Sequence, residues 1–379
     1  MKKPWHVFLL ATTALALSLP VYAQQKPLTD NPLRSRLDSV VHRAACWYLK
    51  DSAANGIVLG VIEHGIPHYY RYGENVRGTG KLLPAGLYYN IGSVAKTFVA
   101  TALAQAVIDK KAAMNDDIRK YLPGSYPNLQ YQGIPIKLVD LANHTSALPG
   151  SFHQYSQASL NKLKDKSLKE QADFFSLYNQ DSLLQDLSAI RPDTIPGTKF
   201  RYNSSAYMLL TLILERIYQQ PYRQIIDSYL QKHLHLSHIK PILSGAELRQ
   251  SAQGYNRKGE PVNYINLSGF YIGPSMNATL IDMVKYLQAQ LSEKDAAIRL
   301  THQQTFGRRD GFGMGLGWML NSENGQRYIY HDGNTKIGFN TLITLYPEIQ
   351  SGIVIIVNET SSQQRVGQLE NKINSGLIK

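Results

Sequence analysis

The distribution of apolar and polar residues predicts a helix and a strand pair at the start of the chain. Asp30-Asn31-Pro32 is typical of a capped helix start. Two strands, Gly56 to Ile62 and His68 to Tyr72, follow on either side of a turn at 63–67. The apolar face of the first helix is predicted to consist of Leu33, Leu37, Val40, Val41, Ala44 and Tyr48.

The middle of the chain is mainly helical in its spacing of apolar residues. Leu160 to Leu187 is more polar than its surroundings, and we expect it to form a helical surface excursion. Pro196-Gly197-Thr198 ends this stretch. The other predicted helices are Val94 to Ile108, Asn115 to Tyr121, Leu138 to Ala142, Ala206 to Tyr218, Tyr222 to His233 and Asn277 to Leu291.

The last part of the chain returns to strands, at Gln326 to His331, Phe339 to Tyr346 and Gly352 to Asn358, before a helix from Gln363 to Ile378. This order predicts an α/β (α+β) fold in which both chain ends form one antiparallel sheet flanked by the terminal helices. A mostly helical lobe, about 93–310, is then inserted between the sheet segments at about 31–92 and 311–379. Ligand clefts are common at such a seam.

The first residues are typical of a secretory signal. Lys2 and Lys3 precede an apolar run from Val7 to Leu19, and Val21-Tyr22-Ala23 resembles a cleavage site. We therefore expect a signal peptide at 1–23 and a periplasmic or secreted catalytic domain at 24–379. The run is short for a membrane span, although an uncleaved anchor is the alternative. Cys46 is the single cysteine, so it has no partner for an internal disulfide.

The formal net charge of +12 favours anionic surroundings such as membranes or cell-wall polymers. Basic proteins also include nucleic-acid binders. However, the lysines and arginines are scattered, with one modest cluster from Lys162 to Lys169, and export disfavours that class. We expect no nucleic-acid partner and no stable membrane span; the sequence does not determine the oligomeric state.

Ser93 and Lys96 stand at the junction between a short apolar run and a predicted helix. Residues three apart on a helix share a face, and a neutral lysine can take the proton of a serine nucleophile. This S-x-x-K spacing recurs at Ser159/Lys162 and Ser237/Lys240, so it is weak alone. A capping serine beside a surface lysine is the alternative.

Two further segments carry candidate chemistry. Tyr202, after Pro196-Gly197-Thr198, could shuttle a proton near Lys96, although a half-buried tyrosine before a capping serine explains it equally. An edge strand around His331 could present its ring and the Asn334 amide to a substrate, or the ring could belong to an ordinary turn. His233, His235 and His238 have no ligand-like spacing, and G-x-S-x-G and H-E-x-x-H are absent.

In combination, these segments resemble the class C β-lactamase and low-molecular-weight penicillin-binding protein superfamily. Ser93-Val94-Ala95-Lys96 matches its first motif, and Tyr202-Asn203-Ser204 resembles its Y-x-N. His331-Asp332-Gly333 stands where K-T-G or H-T-G is expected. Leu141 to Pro149, LANHTSALP, is similar to the family's L-x-x-H-T-S-G-L-P, and Gly338-Phe339 and Tyr346-Pro347-Glu348 fit its last strands.

The resemblance implies a serine acyl transferase with a β-lactamase/transpeptidase-like fold and without a metal or other cofactor. Ser93 would attack the carbonyl, Lys96 and Tyr202 would move the protons, and the amides of Ser93 and Asn334 would form the oxyanion hole. The substrate-binding positions would be Ser204, which replaces the asparagine of Y-x-N, His331, which replaces a lysine, and Gly333. Both replacements argue against fast β-lactam hydrolysis.

The resulting hypothesis is an exported serine hydrolase that acts on β-lactams or D-Ala-D-Ala-type peptides, with a small molecule or peptide as its partner. A carboxylesterase on the same fold is the second enzyme class. A catalytically idle penicillin-binding or sensing domain is the alternative outside enzymes.

Overall fold

The computed structural model describes residues 27–153, 155–264, 275–308, 311–323, 325–360 and 363–377. The predicted signal peptide at 1–23 lies outside these residues. Within the described ranges, no helix combines the length and the apolar character that a membrane crossing requires.

An eight-stranded sheet forms the centre of the molecule, and all of its strand pairs are antiparallel. The strand order is β10-β11-β12-β13-β14-β15-β1-β2, which confirms that both ends of the chain build one sheet. Its strands are β1 (Gly56–Glu63), β2 (Ile66–Gly73), β10 (Phe306–Gly307), β11 (Gly313–Met314), β12 (Met319–Glu323), β13 (Gln326–Thr335), β14 (Phe339–Tyr346) and β15 (Ser351–Val357).

The described chain outside this sheet contains a series of helices. They are α1 (Arg36–Tyr48), α2 (Ala95–Ile108), α3 (Leu138–Ala142), α4 (Gln157–Leu163), α5 (Leu168–Ser176), α6 (Gln180–Ala189), α7 (Ser204–Tyr218), α8 (Tyr222–His233), α9 (Gly245–Leu248), α10 (Leu280–Ser292), α11 (Ala296–Thr301) and α12 (Gln363–Leu377). Short strand pairs or triplets are formed by β3 (Tyr89–Asn90), β4 (Gln130–Tyr131), β5 (Ile134–Pro135), β6 (Ile239–Lys240), β7 (Gly254–Tyr255), β8 (Pro261–Val262) and β9 (Asn277–Ala278).

The sheet is buried on both faces, which explains why its central strands read as continuous apolar runs. On one face, Ile57 and Leu59 of β1 pack with the terminal helices α1 and α12. On the other face, Val58 and Ile62 belong to the larger core that includes α2, α7 and α10. Successive side chains of one strand therefore enter two separate cores.

The first helix begins later than the sequence indicates. Its N-cap is Ser35, and Ser35 and Asp38 form a reciprocal capping box. Leu33, predicted to be on the apolar face, has a positive φ of 53° and is exposed. Because a left-handed residue interrupts a right-handed helix, the start predicted at Asp30-Asn31-Pro32 is wrong.

Three other sequence predictions need correction. The helix predicted at Asn115 to Tyr121 is a single 3₁₀ turn, Ile118–Tyr121. The predicted helix at Asn277 to Leu291 is a short strand followed by α10. The excursion at Leu160 to Leu187 comprises parts of α4, α5 and α6, and its Leu183 and Leu187 are fully buried in the larger core, so it is not confined to the surface.

Candidate active site

A short turn connects β3 to α2 and carries Ser93. Gly92–Val94 form one turn of 3₁₀ helix, and α2 follows directly from Ala95. The turn is fixed by its backbone: the Asn90 side-chain oxygen accepts from the Gly92 amide at 3.1 Å, and the Ile91 amide donates to the Met276 carbonyl at 3.0 Å. Ser93 therefore lies at the entrance of a buried helix and is itself partly exposed.

Lys96 lies one turn further along and points at the serine. Its Nζ is 3.0 Å from Ser93 Oγ, and the residue is 4% exposed. Burial lowers the pKa of Lys96 to about 8, and attraction to the Asp332 carboxylate partly opposes that shift. A substantial share of Lys96 is consequently neutral near pH 8, the state in which an amine can accept the Ser93 proton.

Two tyrosine rings surround the Lys96 amine. Nζ lies 5.1 Å from the centre of the Tyr202 ring and 5.8 Å from that of Tyr207. The Tyr207 hydroxyl donates to the Ala142 carbonyl at 2.7 Å, so this ring is held in the core below the lysine. Rings that offer their negative faces to an ammonium also restrict its position.

Tyr202 is the one of the two rings that reaches the cleft. Burial raises its pKa to about 12, an effect opposed by hydrogen bonding with the Ser93 and Ser204 hydroxyls and reinforced by the Asp332 charge. Tyr202 therefore keeps its proton at neutral pH, whereas Lys96 can lose one. Because of this difference, Lys96 can act as a proton acceptor and Tyr202 as a proton donor.

The segment that carries Tyr202 is held by His144. The Asn203 amide donates to His144 Nδ1 at 3.0 Å, and the His144 ring lies 4.3 Å from the Tyr202 ring. Asn203, not a serine, is the N-cap of α7; its side chain accepts from the Ala206 amide. The same side chain donates to the Leu148 and Pro149 carbonyls, which fastens the start of α7 to the LANHTSALP segment.

The second half of β13 forms the opposite wall. Within the described chain, residues 331–335 pair with β14 alone, because the pairing with β12 ends at Tyr330. A Cβ at Gly333 would lie 2.2 Å from the Ile91 carbonyl oxygen and 3.0 Å from the Ser93 amide nitrogen. A Cβ at Gly92, whose φ is +54°, would lie 2.9 Å from the Asn334 amide nitrogen. Two glycines thus let the backbone amides of Ser93 and Asn334 approach each other.

His331 and Asp332 follow each other on this wall. The His331 ring is 1% exposed, and its Nδ1 donates to the Asp332 carbonyl at 2.7 Å. Burial and the charge of Lys96 lower the pKa of His331 to about 3, so the ring is neutral at pH 7. The Asp332 side chain is half-buried, and burial raises its pKa. The third motif therefore contributes no positive charge at neutral pH.

The structure brings Ser93, Lys96, Tyr202, Gly333 and Asn334 to one place. Ser204 lies beside Tyr202, and His331 is a buried residue of β13. The other S-x-x-K pairs lie elsewhere: Lys162 is exposed on α4 with Ser159 half-buried, and Lys240 forms an ion pair with Glu247. In the part of the chain that the structure describes, no group of three histidine, cysteine, aspartate or glutamate side chains could hold a metal ion.

Sequence reasoning did not assign roles to His144, Tyr207 or Asp332. His144 was visible within LANHTSALP, and Asp332 was visible as a departure from K-T-G or H-T-G. Tyr207 gave no signal, because it occupies an ordinary apolar position of an amphipathic helix. Its place below Lys96 follows from the packing of α7 against α2, which the sequence pattern does not encode.

Most of the chain is similar to known proteins. A "Beta-lactamase" from Lysobacter lactamgenus is 23% identical over 345 residues, which cover 89% of this chain and 83% of that protein. The "D-alanyl-D-alanine-carboxypeptidase/endopeptidase AmpH" of Escherichia coli K12 is also 23% identical, over 93% of this chain and 91% of the relative.

Solved structures agree on the fold. A class C beta-lactamase matches with a TM-score of 0.74 at 21% identity, covering 90% of this chain and 97% of that one. A beta-lactamase/D-alanine carboxypeptidase from Pseudomonas syringae matches with a TM-score of 0.72 at 20% identity, covering 90% and 99%. These similarities confirm the β-lactamase/transpeptidase-like fold that the order of elements and the motifs predicted.

The family model described as Beta-lactamase matches residues 41–375, which include the turn that carries Ser93, the His144 segment, Tyr202 and the β13 wall. This range covers nearly all of the chain and all of the cleft described above. The chain therefore belongs to the beta-lactamase family, as its three motifs indicated.

Proposed function

We propose that this protein is a serine hydrolase that forms an acyl-enzyme on Ser93 and acts on β-lactams or D-Ala-D-Ala-type peptides. The observation that carries the proposal is the 3.0 Å approach of the buried Lys96 amine to Ser93 Oγ. A serine becomes an effective nucleophile when a nearby base can take its proton. The substrate class is supported by the relatives, which are named as beta-lactamases and as a D-alanyl-D-alanine-carboxypeptidase/endopeptidase.

Acylation begins when Ser93 Oγ attacks the carbonyl carbon while its proton passes to neutral Lys96. The negative charge on the carbonyl oxygen is met by the backbone amides of Ser93 and Asn334, which the contact between Gly92 and Gly333 brings together. The C–N bond then breaks. Tyr202 donates its proton to the leaving nitrogen and is reprotonated from Lys96, which leaves an ester on Ser93.

Deacylation repeats these steps with water as the nucleophile. The water gives one proton to the Lys96–Tyr202 pair and attacks the ester carbon. The C–O bond to Ser93 breaks, the serine oxygen recovers the proton, and a carboxylic acid leaves. The enzyme returns to its initial protonation state, so a single pair of groups serves both halves of the cycle.

The test is mass spectrometry of the purified protein after incubation with a penicillin, beside Ser93→Ala. A stable adduct on Ser93 would indicate slow deacylation and a penicillin-binding peptidase. Rapid loss of the penicillin without an adduct, and dependent on Ser93, would indicate a working β-lactamase. The absence of both an adduct and turnover would contradict the proposal for penicillins.

A carboxylesterase is the second candidate, and the neutral His331 favours it. A site without a cation on its third motif does not require a carboxylate on the substrate, and simple esters have none. Hydrolysis of p-nitrophenyl esters by the wild type but not by Ser93→Ala, without penicillin labelling, would establish this alternative. If Ser93→Ala retained the biological effect, the chain would instead act as an idle binding domain.

Export is part of the proposal. Residues 1–23 would be removed as a signal peptide, and residues 24–379 would work in the periplasm or outside the cell as a single catalytic domain with its cleft between sheet and helical lobe. The charged start and apolar run of the first residues support export. N-terminal sequencing of protein recovered from a periplasmic fraction tests it; a chain that still begins at Met1 there would contradict cleavage.

A further inference from the structure

The third motif carries an acidic residue, Asp332, at the centre of the candidate site. It lies between the buried His331 and Gly333, and Gly333 lies against the backbone of Ile91 and Ser93. Asp332 is thus next to the strand position that touches the nucleophile turn. Its side chain is half-buried, so it belongs to the cleft wall and is not a fully solvated surface charge.

The carboxylate acts on both proton-transfer groups. Its charge favours protonated Lys96 and disfavours ionised Tyr202. For both residues, Asp332 is the acidic side chain that affects them. The negative charge therefore stands within electrostatic range of the nucleophile's base and of the donor to the leaving group, where screening by water is incomplete.

When Lys96 is neutral, as acylation requires, few other positive charges around the described cleft could offset the charge of Asp332. His331 is buried and neutral at pH 7. Arg201 precedes Tyr202 but is paired with Asp193. Lys336 is exposed in the turn that follows β13, four residues beyond Asp332, where salt screens its charge.

Geometry determines which part of a substrate meets this charge. If the scissile carbonyl is at Ser93, with its oxygen between the Ser93 and Asn334 amides, the leaving group must be within reach of Tyr202. Asp332 influences that same tyrosine. A carboxylate on the leaving group would have to give up water beside a like charge, and Lys96 offers it no compensating charge in the neutral state that takes the Ser93 proton.

We propose that Asp332 makes the enzyme select substrates whose leaving group is neutral or positively charged, and disfavour leaving groups with a free carboxylate next to the scissile bond. Suitable substrates are peptides amidated at the residue that leaves, internal peptide bonds whose carboxylate is distant, and neutral esters. This inference rests on the proposed acyl-enzyme at Ser93. Within the proposed substrate class it ranks D-Ala-D-Ala-type peptides whose leaving residue has no free carboxylate above those that carry one.

The test compares two substrates that differ in one group, N-acetyl-D-Ala-D-Ala and its C-terminal amide. Release of D-alanine or D-alanine amide gives kcat/KM for each. We expect the wild type to prefer the amide by about tenfold or more, because a like-charge contact in a partly desolvated site costs at least that factor. The wild-type preference is itself a test that needs no variant.

The variants Asp332→Asn and Asp332→Thr remove the charge from the site. Both variants should lower the ratio of kcat/KM for the amide to kcat/KM for the acid by about tenfold or more, whatever they do to the absolute rate. Asp165→Asn is the matched control, because it removes the same charge from an exposed turn between α4 and α5. That control should leave the ratio unchanged.

The outcomes separate the inference from the function on which it rests. Equal cleavage of acid and amide by the wild type, or an unchanged ratio in both Asp332 variants, would overturn the role of Asp332 while acylation of Ser93 stood. Failure to cleave either peptide, together with the absence of penicillin labelling, would overturn the proposed function and this inference with it.

Discussion

The backbone amide of Asn203 donates to Nδ1 of His144 at 3.0 Å, across the start of α7. Because Nδ1 accepts this bond, a neutral His144 carries its proton on Nε2. Burial, and after it the charge of Lys96, keep the pKa of His144 well below its usual value, so the ring stays neutral. A neutral, buried ring thus sets the position of Tyr202 without adding charge to the cleft.

His144→Ala should impair both stability and turnover. The Asn203 amide would lose its acceptor in a buried site, which costs roughly 1–3 kcal/mol, and Tyr202 would lose the ring it lies against. We expect kcat to fall about 10- to 100-fold. Urea unfolding of the same variant measures the loss of stability. His144→Asn offers an oxygen to the same amide and should recover part of both. If His144→Ala kept full kcat, the positioning role would be excluded.

The rate should depend on the ionisation of Lys96. Its pKa of about 8 means that the amine becomes protonated as the pH falls below that value, and the protonated amine cannot act as a base. The kcat/KM for a neutral ester should therefore rise with pH and level off above pH 8. Asp332→Asn removes an attraction that raises the pKa of Lys96, so the rise should move to lower pH. A shift to higher pH would contradict this assignment.

Tyr202→Phe removes the hydroxyl and keeps the ring, so it tests the two contributions separately. The phenyl ring would still cover Lys96, but it has no proton to give to the leaving group. We expect kcat to fall about 100-fold or more, since a general acid typically contributes a factor of this size. A good leaving group such as p-nitrophenolate needs no proton, so ester acylation should fall much less than peptide acylation. Equal losses for both substrates would argue against proton donation.

Gly333→Ala tests the contact between β13 and the nucleophile turn. The new Cβ would meet the Ile91 carbonyl oxygen at 2.2 Å, so the strand and the turn must separate. We expect kcat to fall about 100-fold or more, as when one oxyanion-hole donor is lost. Gly367→Ala is the control, because a Cβ on that residue of α12 meets no atom within 4 Å. Near-normal kcat in Gly333→Ala would exclude a tight oxyanion hole here.

The start of α1 gives a prediction about stability alone. Ser35→Ala removes the capping hydroxyl that accepts from the Asp38 amide at 2.9 Å, and should cost about 1 kcal/mol in the free energy of unfolding. Pro32→Ala lies outside the helix and should cost less. Catalytic constants should be unchanged in both. If Pro32→Ala were the more damaging change, the helix would begin where the sequence pattern first indicated.

The sequence was most informative where a strand is buried on both faces. The runs in β1, β14 and β15 were predicted nearly to the residue, because burial against two cores favours apolar side chains at most positions. Strands β10 to β12 were missed. Two of them have two residues each, and the glycine-rich segment around Gly313 and Gly315 carries no strand periodicity.

Within the site, spacing was sufficient to place Ser93 near Lys96, because local geometry fixes residues three apart. It was not sufficient for the third motif. His331 was expected to be a substrate-binding position, but its charge depends on burial among residues distant in the sequence. The charge of such a residue is set by how it is packed. A sequence motif therefore identifies the residue but does not predict whether it is ionised.

The pairing of β1 with β15 has a consequence for how the protein folds. Ile57 lies opposite Val357, so almost the entire chain must be present before the sheet can close. Contacts so distant in sequence slow folding, because the entropy of closing a very long loop is lost before the contact forms. Ser93 comes from the early part of the chain and Gly333 from the late part. A chain that ends before β13 therefore contains Ser93 without Gly333 and Asn334, so the proposed oxyanion hole cannot form until these late residues are in place.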